Sequence, residues 1–525
     1  MLAALATVTL LAALPAHEEV RLVRDAAEAL DRWDLPAAQQ AAARLEKDAP
    51  DSLDSMEARA IVRFHEGRYQ DAVKLLDQVK AKGRKEDRLP MPRLIRKTAK
   101  IAEDFEEKRG KHFVVRWAKG SPDEILADWV LETLEAQRAA LEADLGYAPP
   151  EVVPIEIYPT ADEFATVTTL TRQEIETSGT IALCKFNRLM ITTPGALAFG
   201  YGWRDTIAHE YTHYVVARMT GNKVPIWLHE GLAKYEEVRW RRSTGGEKNP
   251  TVETVLAEGL QKNYFIPFDR MHPSIAKLPS AFDATLAFAE VESLIGYVVE
   301  TWKYDGVRTL LEGLRDGKPM DVALLGAFGV GLKGLEEKWR AYLAANPPKY
   351  DPKLALMPTQ LKSPDADPEK SGAAHKGLTD EAADRLRLGD LLAGESRVDA
   401  AIVQYRKARE AAASAGNKSG HGPIFDWKIA TIYLKTNRYA EAKKTLLPVI
   451  DTYPTFAPAL KALGRIELED GDPKRAKEWI ERALWQAPFD PETHAMLATS
   501  LEKSGDPAGA QAATARLKNL IKLAN

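Results

Sequence analysis

The sequence predicts a mixed α+β domain in the middle of the chain with all-α helical repeats on both sides of it. Segments near both ends recur with a period of 34 residues. Between them, short segments alternate apolar and polar residues, as strands do, before the pattern turns helical. Strands followed by helices are typical of an α+β domain. A chain of 525 residues is also long enough for about three folded units.

Composition and charge narrow the classes of function. The chain has 45% hydrophobic and 28% charged residues, which is normal for a soluble globular protein. The net charge of -4 gives no reason to expect a nucleic-acid partner. No apolar segment is long enough to predict an integral membrane domain. The single cysteine, Cys184, excludes a disulfide within the chain and is expected to be a small buried residue of a strand.

The first 16 residues resemble a secretory signal. The run from Leu2 to Leu14 is uncharged and apolar, and its 13 residues are too few to span a bilayer comfortably. We expect residues 1–16 to be a signal peptide that is cleaved after Ala16. The mature protein is then exported, periplasmic or extracellular, and soluble. The alternative is that these residues begin an ordinary N-terminal helix.

Near the C-terminus, a turn-and-helix pattern occurs three times in succession. The copy that starts at Asn437 aligns with copies at Gly471 and Gly505, and each step is 34 residues. Pro454 and Pro488 keep the same step. A period of 34 is that of tetratricopeptide helix pairs, which these segments resemble. With an irregular earlier copy, the C-terminal repeats are expected to span 378–525.

A second set of repeats is predicted at the N-terminus, in residues 17–106. There Trp33 aligns with Gly67, again 34 residues apart. Two helix pairs are few for independent stability, so this set is expected to be stabilised by packing against the neighbouring central domain. The resemblance implies that a protein partner binds along a concave surface of the repeats. The alternative, which the sequence supports equally, is that the repeats only pack against the central domain.

The central domain is expected to span 107–345, and a Pro-rich linker is expected at 346–377. Strands are predicted where β-branched and aromatic residues alternate with polar ones, and helices where the apolar period lengthens. The predicted elements before the central motif are a strand at 112–117, a helix at 124–145, a strand at 152–158 and one or two strands within 180–193.

A helix of the central domain carries the pattern His-Glu-x-x-His from His209 to His213, and Gly221 ends it. The two histidines are four residues apart and share a helix face, so both imidazoles can meet one metal ion. Glu210 lies about 100° around the helix. It cannot join both histidines at the ion, but it can reach a water molecule in the open position of the metal.

A third ligand is predicted on the next helix. That helix begins at Pro225, a residue suited to a first helical turn, and carries Glu230, which lies 17 positions after His213. A turn of about ten residues brings this helix back antiparallel to the first. A catalytic zinc ion takes three protein ligands and keeps one position open for water. The two histidines and Glu230 make that set.

The His-Glu-x-x-His helix and the following Trp-Leu-x-Glu-Gly-x-Ala segment, which starts at Trp227, resemble the gluzincin metallopeptidases, especially the peptidase MA-like group. The resemblance covers roughly residues 112–344 and implies an α+β zincin-like metallopeptidase domain. It implies one zinc ion per chain, held by His209, His213 and Glu230. It also implies that Glu210 is the general base and proton shuttle.

Other metal sites fit the sequence less well. A metzincin needs Gly and His where this chain has Val216 and Met219. His229 could bind metal in place of Glu230, but only Glu230 lies at the position that the resemblance implies. His229 is then an exposed residue or one that supports the ligands.

Two positions depart from the pattern of the family. Many gluzincins carry an acid four residues after the third ligand to orient a histidine, whereas this chain has Lys234. Glu237 or Asp205 could take that role, and the sequence does not choose between them.

Relatives also often carry a Tyr in a later helix, where this chain has Phe288. If that Tyr stabilises the oxyanion in relatives, this chain needs another donor. Tyr264 and Tyr297 are candidates, although packing is the more natural role for both.

The predicted function is hydrolysis of a peptide or protein substrate by a metal-activated water, with Glu210 as general base. The Gly-x-Met-Glu-Asn segment of related aminopeptidases does not occur in the sequence, which favours an endopeptidase. The stretch from Gly179 to Thr193 could form an edge strand that holds an extended peptide. The alternative is a catalytically inactive gluzincin-like domain in a repeat scaffold of the cell envelope, against which the presence of Glu210 argues.

Overall fold

The computed structural model describes residues 15–84, 90–247, 249–352, 354, 356, 361, 378–414 and 422–524. The expected signal peptide at 1–16 therefore lies almost wholly outside the described residues. Most of the expected linker at 346–377 does so as well.

Helices make up the described N-terminal part, and they pair in the manner of helical repeats. The helices are α1 (Ala16–Asp31), α2 (Leu35–Asp48), α3 (Leu53–His65), α4 (Tyr69–Ala81) and α5 (Pro90–Ile101). Asp34 caps α2, because its side chain accepts a hydrogen bond from the backbone N–H of Ala37, and a proline fits the first turn. Small residues allow close pairing of the helices: Ala38 and Ala72 are fully buried.

The central part is a mixed sheet followed by helices, as predicted from the sequence. The strands are β1 (Phe105–Arg109), β2 (Phe113–Ala118), β3 (Val153–Tyr158), β4 (Ala182–Lys185) and β5 (Arg188–Thr192). The helices are α6 (Ala127–Leu145), α7 (Ala161–Thr168), α8 (Arg172–Ser178), α9 (Trp203–Thr220), α10 (Ile226–Glu236), α11 (Pro250–Gln261), α12 (Ala281–Arg315, interrupted at Lys303), α13 (Met320–Phe328) and α14 (Leu332–Ala345).

The sheet order is β1-β2-β3-β5-β4. The three inner strands run parallel to one another, and β1 and β4 pair antiparallel at the two edges. The strands predicted at 112–117, 152–158 and within 180–193 are thus confirmed as β2, β3, β4 and β5. The pattern missed β1, an edge strand whose last four residues are charged and exposed, and which crosses the expected boundary between residues 106 and 107.

One face of the sheet packs against α6 and α9, α12 packs against these two helices, and together they form the main core. Alternate residues of each inner strand point into it, among them Val115, Ile155 and Leu189, all fully buried. This packing fixes α9 against the sheet and so sets the position of the His-Glu-x-x-His segment.

The N-terminal repeats cover part of the opposite face of the sheet. Arg188 of β5 and Glu156 of β3 form an ion pair there, 3.3 Å apart, and both side chains are fully buried. Arg188 also donates to the backbone carbonyl of Phe64, and the hydroxyl of Tyr69 donates to Glu156. The N-terminal repeats therefore pack against the central domain, as expected for a set of only two helix pairs.

The C-terminal part is a row of helix pairs, and its repeats are as predicted. The helices are α15 (Asp380–Gly394), α16 (Val398–Ser414), α17 (Gly422–Lys435), α18 (Tyr439–Thr452), α19 (Ala457–Asp470), α20 (Pro473–Leu484), α21 (Pro491–Lys503) and α22 (Pro507–Ala524). Ala442 and Ala476 are fully buried where paired helices cross, while Ala510 is partly exposed. None of the helices in the described ranges is both long and apolar enough to cross a membrane.

The C-terminal repeats pack against the start of α9. The backbone N–H of Tyr201 donates to the carbonyl of Gln486 at 2.9 Å, and the indole N–H of Trp203 donates to the carbonyl of Leu484 at 3.3 Å. At Gly200 (φ 67°), a β-carbon would lie 1.8 Å from the Gln486 oxygen, so only glycine allows this approach. The repeats thereby cover Trp203, the first residue of α9, which is fully buried.

Candidate metal centre

Two neighbouring helices carry the candidate ligands. His209 and His213 lie on α9, which ends at Gly221 in a left-handed conformation, and Glu230 lies on α10. Gly231 lets α10 approach α12, because a β-carbon there would lie 2.9 Å from the carbonyl oxygen of Val291. The packing of α10 against α9 and α12 therefore holds the Glu230 backbone in place.

The structure brings His209, His213 and Glu230 together. One ligand atom from each lies within 4.8 Å of the other two. Oε2 of Glu230 is 3.4 Å from Nε2 of His209 and 3.3 Å from Nε2 of His213. Two imidazole nitrogens and one carboxylate oxygen that converge on one point form the donor set of a catalytic zinc site, so the three side chains fit this metal.

The surroundings of these residues favour positive charge. Burial lowers the pKa of His209, but hydrogen bonds from its ring to Glu230 and Glu237 outweigh this and raise the pKa to about 10. Burial raises the pKa of Glu230, but the charges of His213 and His209 outweigh it and hold this pKa well below its usual value. A cluster that stabilises a proton on His209 also favours a bound cation at the same place.

Glu237 contacts the ring nitrogen of His209 that does not face Glu230. Its Oε2 lies 3.2 Å from Nδ1 of His209, and its Oε1 accepts a hydrogen bond from Lys234. Asp205, the other candidate from the sequence, instead forms an ion pair with Arg241 at 2.9 Å and accepts a hydrogen bond from Trp240. The residue that contacts the histidine is thus Glu237, seven positions after Glu230.

His229 contacts His213 on the ring edge away from Glu230. The two Nδ1 atoms are within hydrogen-bond distance. Burial and the charges of His213 and His209 lower the pKa of His229 to about 3, so this ring is neutral. A neutral His229 can accept the Nδ1–H of His213, which leaves Nε2 of His213 free to bind a metal.

Glu210 lies beside the three candidate ligands and is only 5% exposed. Burial raises its pKa, which the charges of His213 and His209 and the backbone of Cys184 partly offset. Its Oε2 atom is buried and has no hydrogen-bond partner among the described residues. A buried carboxylate oxygen without a partner is costly in a folded protein and indicates a site for water or a ligand.

A cleft of about 660 Å³ opens over this group. Residues 179–185, which include β4, line one wall of it, and α9 and α10 form the floor. Cys184 is half-buried in that wall rather than fully buried. Trp33 of the N-terminal repeats also lines the cleft, although it was not predicted from the sequence to lie there.

The tyrosines considered as oxyanion donors lie elsewhere. The hydroxyl of Tyr264 donates to Asp283 at 2.8 Å, and the ring of Tyr297 packs against those of Trp302 and Tyr342. Neither tyrosine is among the described residues that line the cleft. Phe288 does line it, at the position where relatives often have Tyr.

Comparisons with known proteins agree with this architecture. Residues 135–345 match the family model described as Peptidase MA superfamily. Residues 23–87 and 428–491 match the model described as Tetratricopeptide repeat. No curated protein matches the chain.

Solved structures show only a loose similarity. MamA (41-end) from Desulfovibrio magneticus RS-1 is 17% identical over 29% of this chain and 81% of that chain, with a TM-score of 0.24. Yeast Tom70 is 12% identical over 96% of this chain and 90% of that chain, with a TM-score of 0.20. The Cut9-Hcn1 hetero-tetramer of the APC/C is 12% identical over 97% and 87%, with a TM-score of 0.23. TM-scores this low do not support any inference about function.

The family matches, the mixed sheet and the helix pairs agree on one architecture. The chain contains a Peptidase MA superfamily domain that tetratricopeptide repeats flank on both sides.

Proposed function

We propose that the chain is a zinc-dependent metallopeptidase, and more specifically an endopeptidase. The observation that carries the proposal is the unpartnered Oε2 of Glu210, which lies in the cleft beside the converging donor atoms of His209, His213 and Glu230. Glu236 and Glu467 also have a buried carboxylate oxygen without a hydrogen-bond partner among the described residues, but of these three residues only Glu210 lines the cleft beside the candidate ligands.

In this proposal, His209, His213 and Glu230 hold one zinc ion. The ion supplies a Lewis acid that activates water and polarises the scissile carbonyl. Glu210 accepts a proton from the attacking water and donates it to the leaving amine.

The position of β4 supports a mode of substrate binding. This strand is at the edge of the sheet, pairs with β5 alone among the described strands, and lines the cleft. An extended peptide can add to such an edge through main-chain hydrogen bonds. We expect the variant Lys185→Glu, at the end of β4, to change which peptides are cleaved without changing zinc content.

We also propose that the C-terminal repeats bind a protein partner or the protein substrate. Repeats of this class commonly bind proteins along a concave surface. A second cleft, of about 350 Å³, lies between these repeats and the central domain. Trp427, Lys461 and Arg465 line it from the repeats, and Phe199 lines it from the central domain.

The test compares hydrolysis by the zinc-loaded chain with that by Glu210→Gln. Casein and a proteome-derived peptide library serve as substrates. We expect the parent to cleave them, and Glu210→Gln to retain its zinc but lose at least about 100-fold in rate. Glu312→Gln, an exposed carboxylate outside the cleft, is the matched control and should retain the parent rate. Equal rates for the parent and Glu210→Gln would contradict the proposal and favour an inactive domain in a repeat scaffold.

A further inference from the structure

The turn between α1 and α2 holds Trp33 in a left-handed backbone conformation, with φ of 61°. The corresponding turn position in four other repeats is occupied by Gly67, Ser396, Asn437 and Gly505, with φ between 55° and 81°, whereas Gly471 at the same position has φ of -143°. These are small residues or, like asparagine, residues that tolerate this conformation, whereas a bulky side chain is disfavoured there. The turn alone therefore does not account for a tryptophan.

Contacts with the central domain fix Trp33 in place. Its ring packs edge-on against that of Tyr214, with centroids 5.6 Å apart and planes at 86°. Its carbonyl accepts a hydrogen bond from Asn187 at 3.5 Å, and the nearby carbonyl of Asp31 accepts one from Asn222 at 3.2 Å. A disfavoured conformation that the surrounding structure holds in this way is a frequent feature of ligand sites.

The indole is only partly buried, and it lines the cleft. Ala217, Val224 and Ile226 line it as well, and none of these side chains carries a charge. Ala217 lies four residues after His213 on α9, so the two share a helix face. Ala217 thus joins this wall, which Asn222 also lines, to the candidate metal centre.

We propose that Trp33, together with Ala217, Val224 and Ile226, forms a subsite for a large apolar side chain of the peptide substrate. Trp33 is then a specificity-determining residue that the N-terminal repeats supply to the central domain. The inference rests on the proposed peptidase function and adds its substrate class: peptides with an aromatic or large aliphatic residue close to the cleaved bond.

Cleavage of a proteome-derived peptide library by the full-length, zinc-loaded chain tests the subsite. Mass spectrometry identifies the residues on both sides of each cleaved bond. We expect the parent to prefer Leu, Phe or Met at one of these positions over Ala by about tenfold or more, as one well-filled apolar pocket gives. In Trp33→Asn, which suits a left-handed turn, we expect this preference to fall about tenfold while zinc content is unchanged.

A binding measurement gives a readout that does not depend on turnover. Two fluorescent peptides that differ only by Phe or Ala at the preferred position are titrated into the zinc-loaded Glu210→Gln variant. We expect the Phe peptide to bind about tenfold more tightly, and the two peptides to bind equally when Trp33→Asn is added. Tyr350→Ala, which removes an exposed aromatic ring outside both clefts, is the matched control and should keep the difference.

A second variant covers the case in which Trp33→Asn does not fold. Ile226→Lys places a charge in the same wall without touching the turn, and we expect it to remove the apolar preference in favour of acidic residues. Glu210-dependent cleavage with an unchanged preference in the folded variants would overturn the subsite alone. If neither cleavage nor peptide binding depends on the zinc-loaded centre, both the subsite and the proposed function are contradicted.

Discussion

Oε2 of Glu237 and Nδ1 of His209 lie 3.2 Å apart, and Lys234 donates to the other oxygen of the same carboxylate. This contact holds the His209 ring with Nε2 towards Glu230. Lys234 lies at the position where many gluzincins carry an acid that orients the histidine. In this chain Glu237 takes the place of that acid, and Lys234 holds Glu237 in position.

We therefore expect Glu237→Ala to weaken zinc binding by about 10- to 100-fold, as the loss of such supporting carboxylates does. Competition with a chromophoric chelator measures the dissociation constant. Asp205→Asn is the matched control, since Asp205 contacts Arg241 and Trp240 rather than a histidine. An equal loss in both variants would mean that Glu237 does not act through His209.

A pH-dependent stability is expected from Glu236, which is fully buried. Burial, with the nearby charge of Asp144, raises its pKa from 4.5 to about 8. The folded protein thus keeps the proton up to about pH 8, whereas the unfolded chain releases it above pH 4.5. This contribution to the free energy of unfolding is complete below pH 4.5 and is lost as pH rises to about 8.

Glu236→Gln should remove that part of the pH dependence. Glutamine has the same shape and can still accept the hydrogen bond from Tyr304, which is 2.8 Å long in the parent. Thermal unfolding midpoints measured from pH 5 to pH 8 should fall less steeply in the variant. Parallel pH profiles of the parent and the variant would show that Glu236 ionises normally in the folded protein.

The approach of Gly200 to Gln486 predicts that the C-terminal repeats support the start of α9. Gly200→Ala puts a β-carbon 1.8 Å from the Gln486 oxygen, so the repeats must shift and uncover Trp203. We expect a lower unfolding midpoint and an equal loss of activity on short peptides and on proteins. Gly505→Ala has φ of 81° but open space around it, so it costs only the turn strain, about 1 kcal/mol. If Gly200→Ala behaves like this control, the contact does not support the helix.

The buried pair of Glu156 and Arg188 should respond unequally to loss of its two members. Glu156→Leu leaves Arg188 buried without its carboxylate, which costs about 3–5 kcal/mol. Arg188→Met should cost less, because Arg116 at 3.4 Å and the hydroxyls of Tyr69 and Tyr158 still contact Glu156. Urea unfolding midpoints compare the two variants, and a larger loss in Arg188→Met would contradict this reading of the cluster.

The sequence predicted the features that depend on local pattern. The repeats have a fixed period, and the spacing of His209 and His213 on one helix face is a property of the helix itself. β1 was missed because an edge strand with charged, exposed residues lacks the alternation that marks a half-buried strand.

Features that depend on distant contacts could not be predicted. Glu237 and Asp205 were both acceptable on spacing, and only the packing of α10 on α9 brings Glu237 to His209. Trp33 lies far from the cleft residues in sequence. Its one signal was a tryptophan at a turn position that Gly67 and Asn437 occupy in other repeats.

The zinc content of the purified chain decides whether His209, His213 and Glu230 form a metal centre. Elemental mass spectrometry measures zinc per chain in protein purified without metal-affinity resin or chelator, beside Glu230→Ala. The convergence of His209, His213 and Glu230 predicts about one zinc ion in the parent and much less in the variant. A folded parent that binds no zinc even when zinc is offered would show that these three residues do not hold the metal.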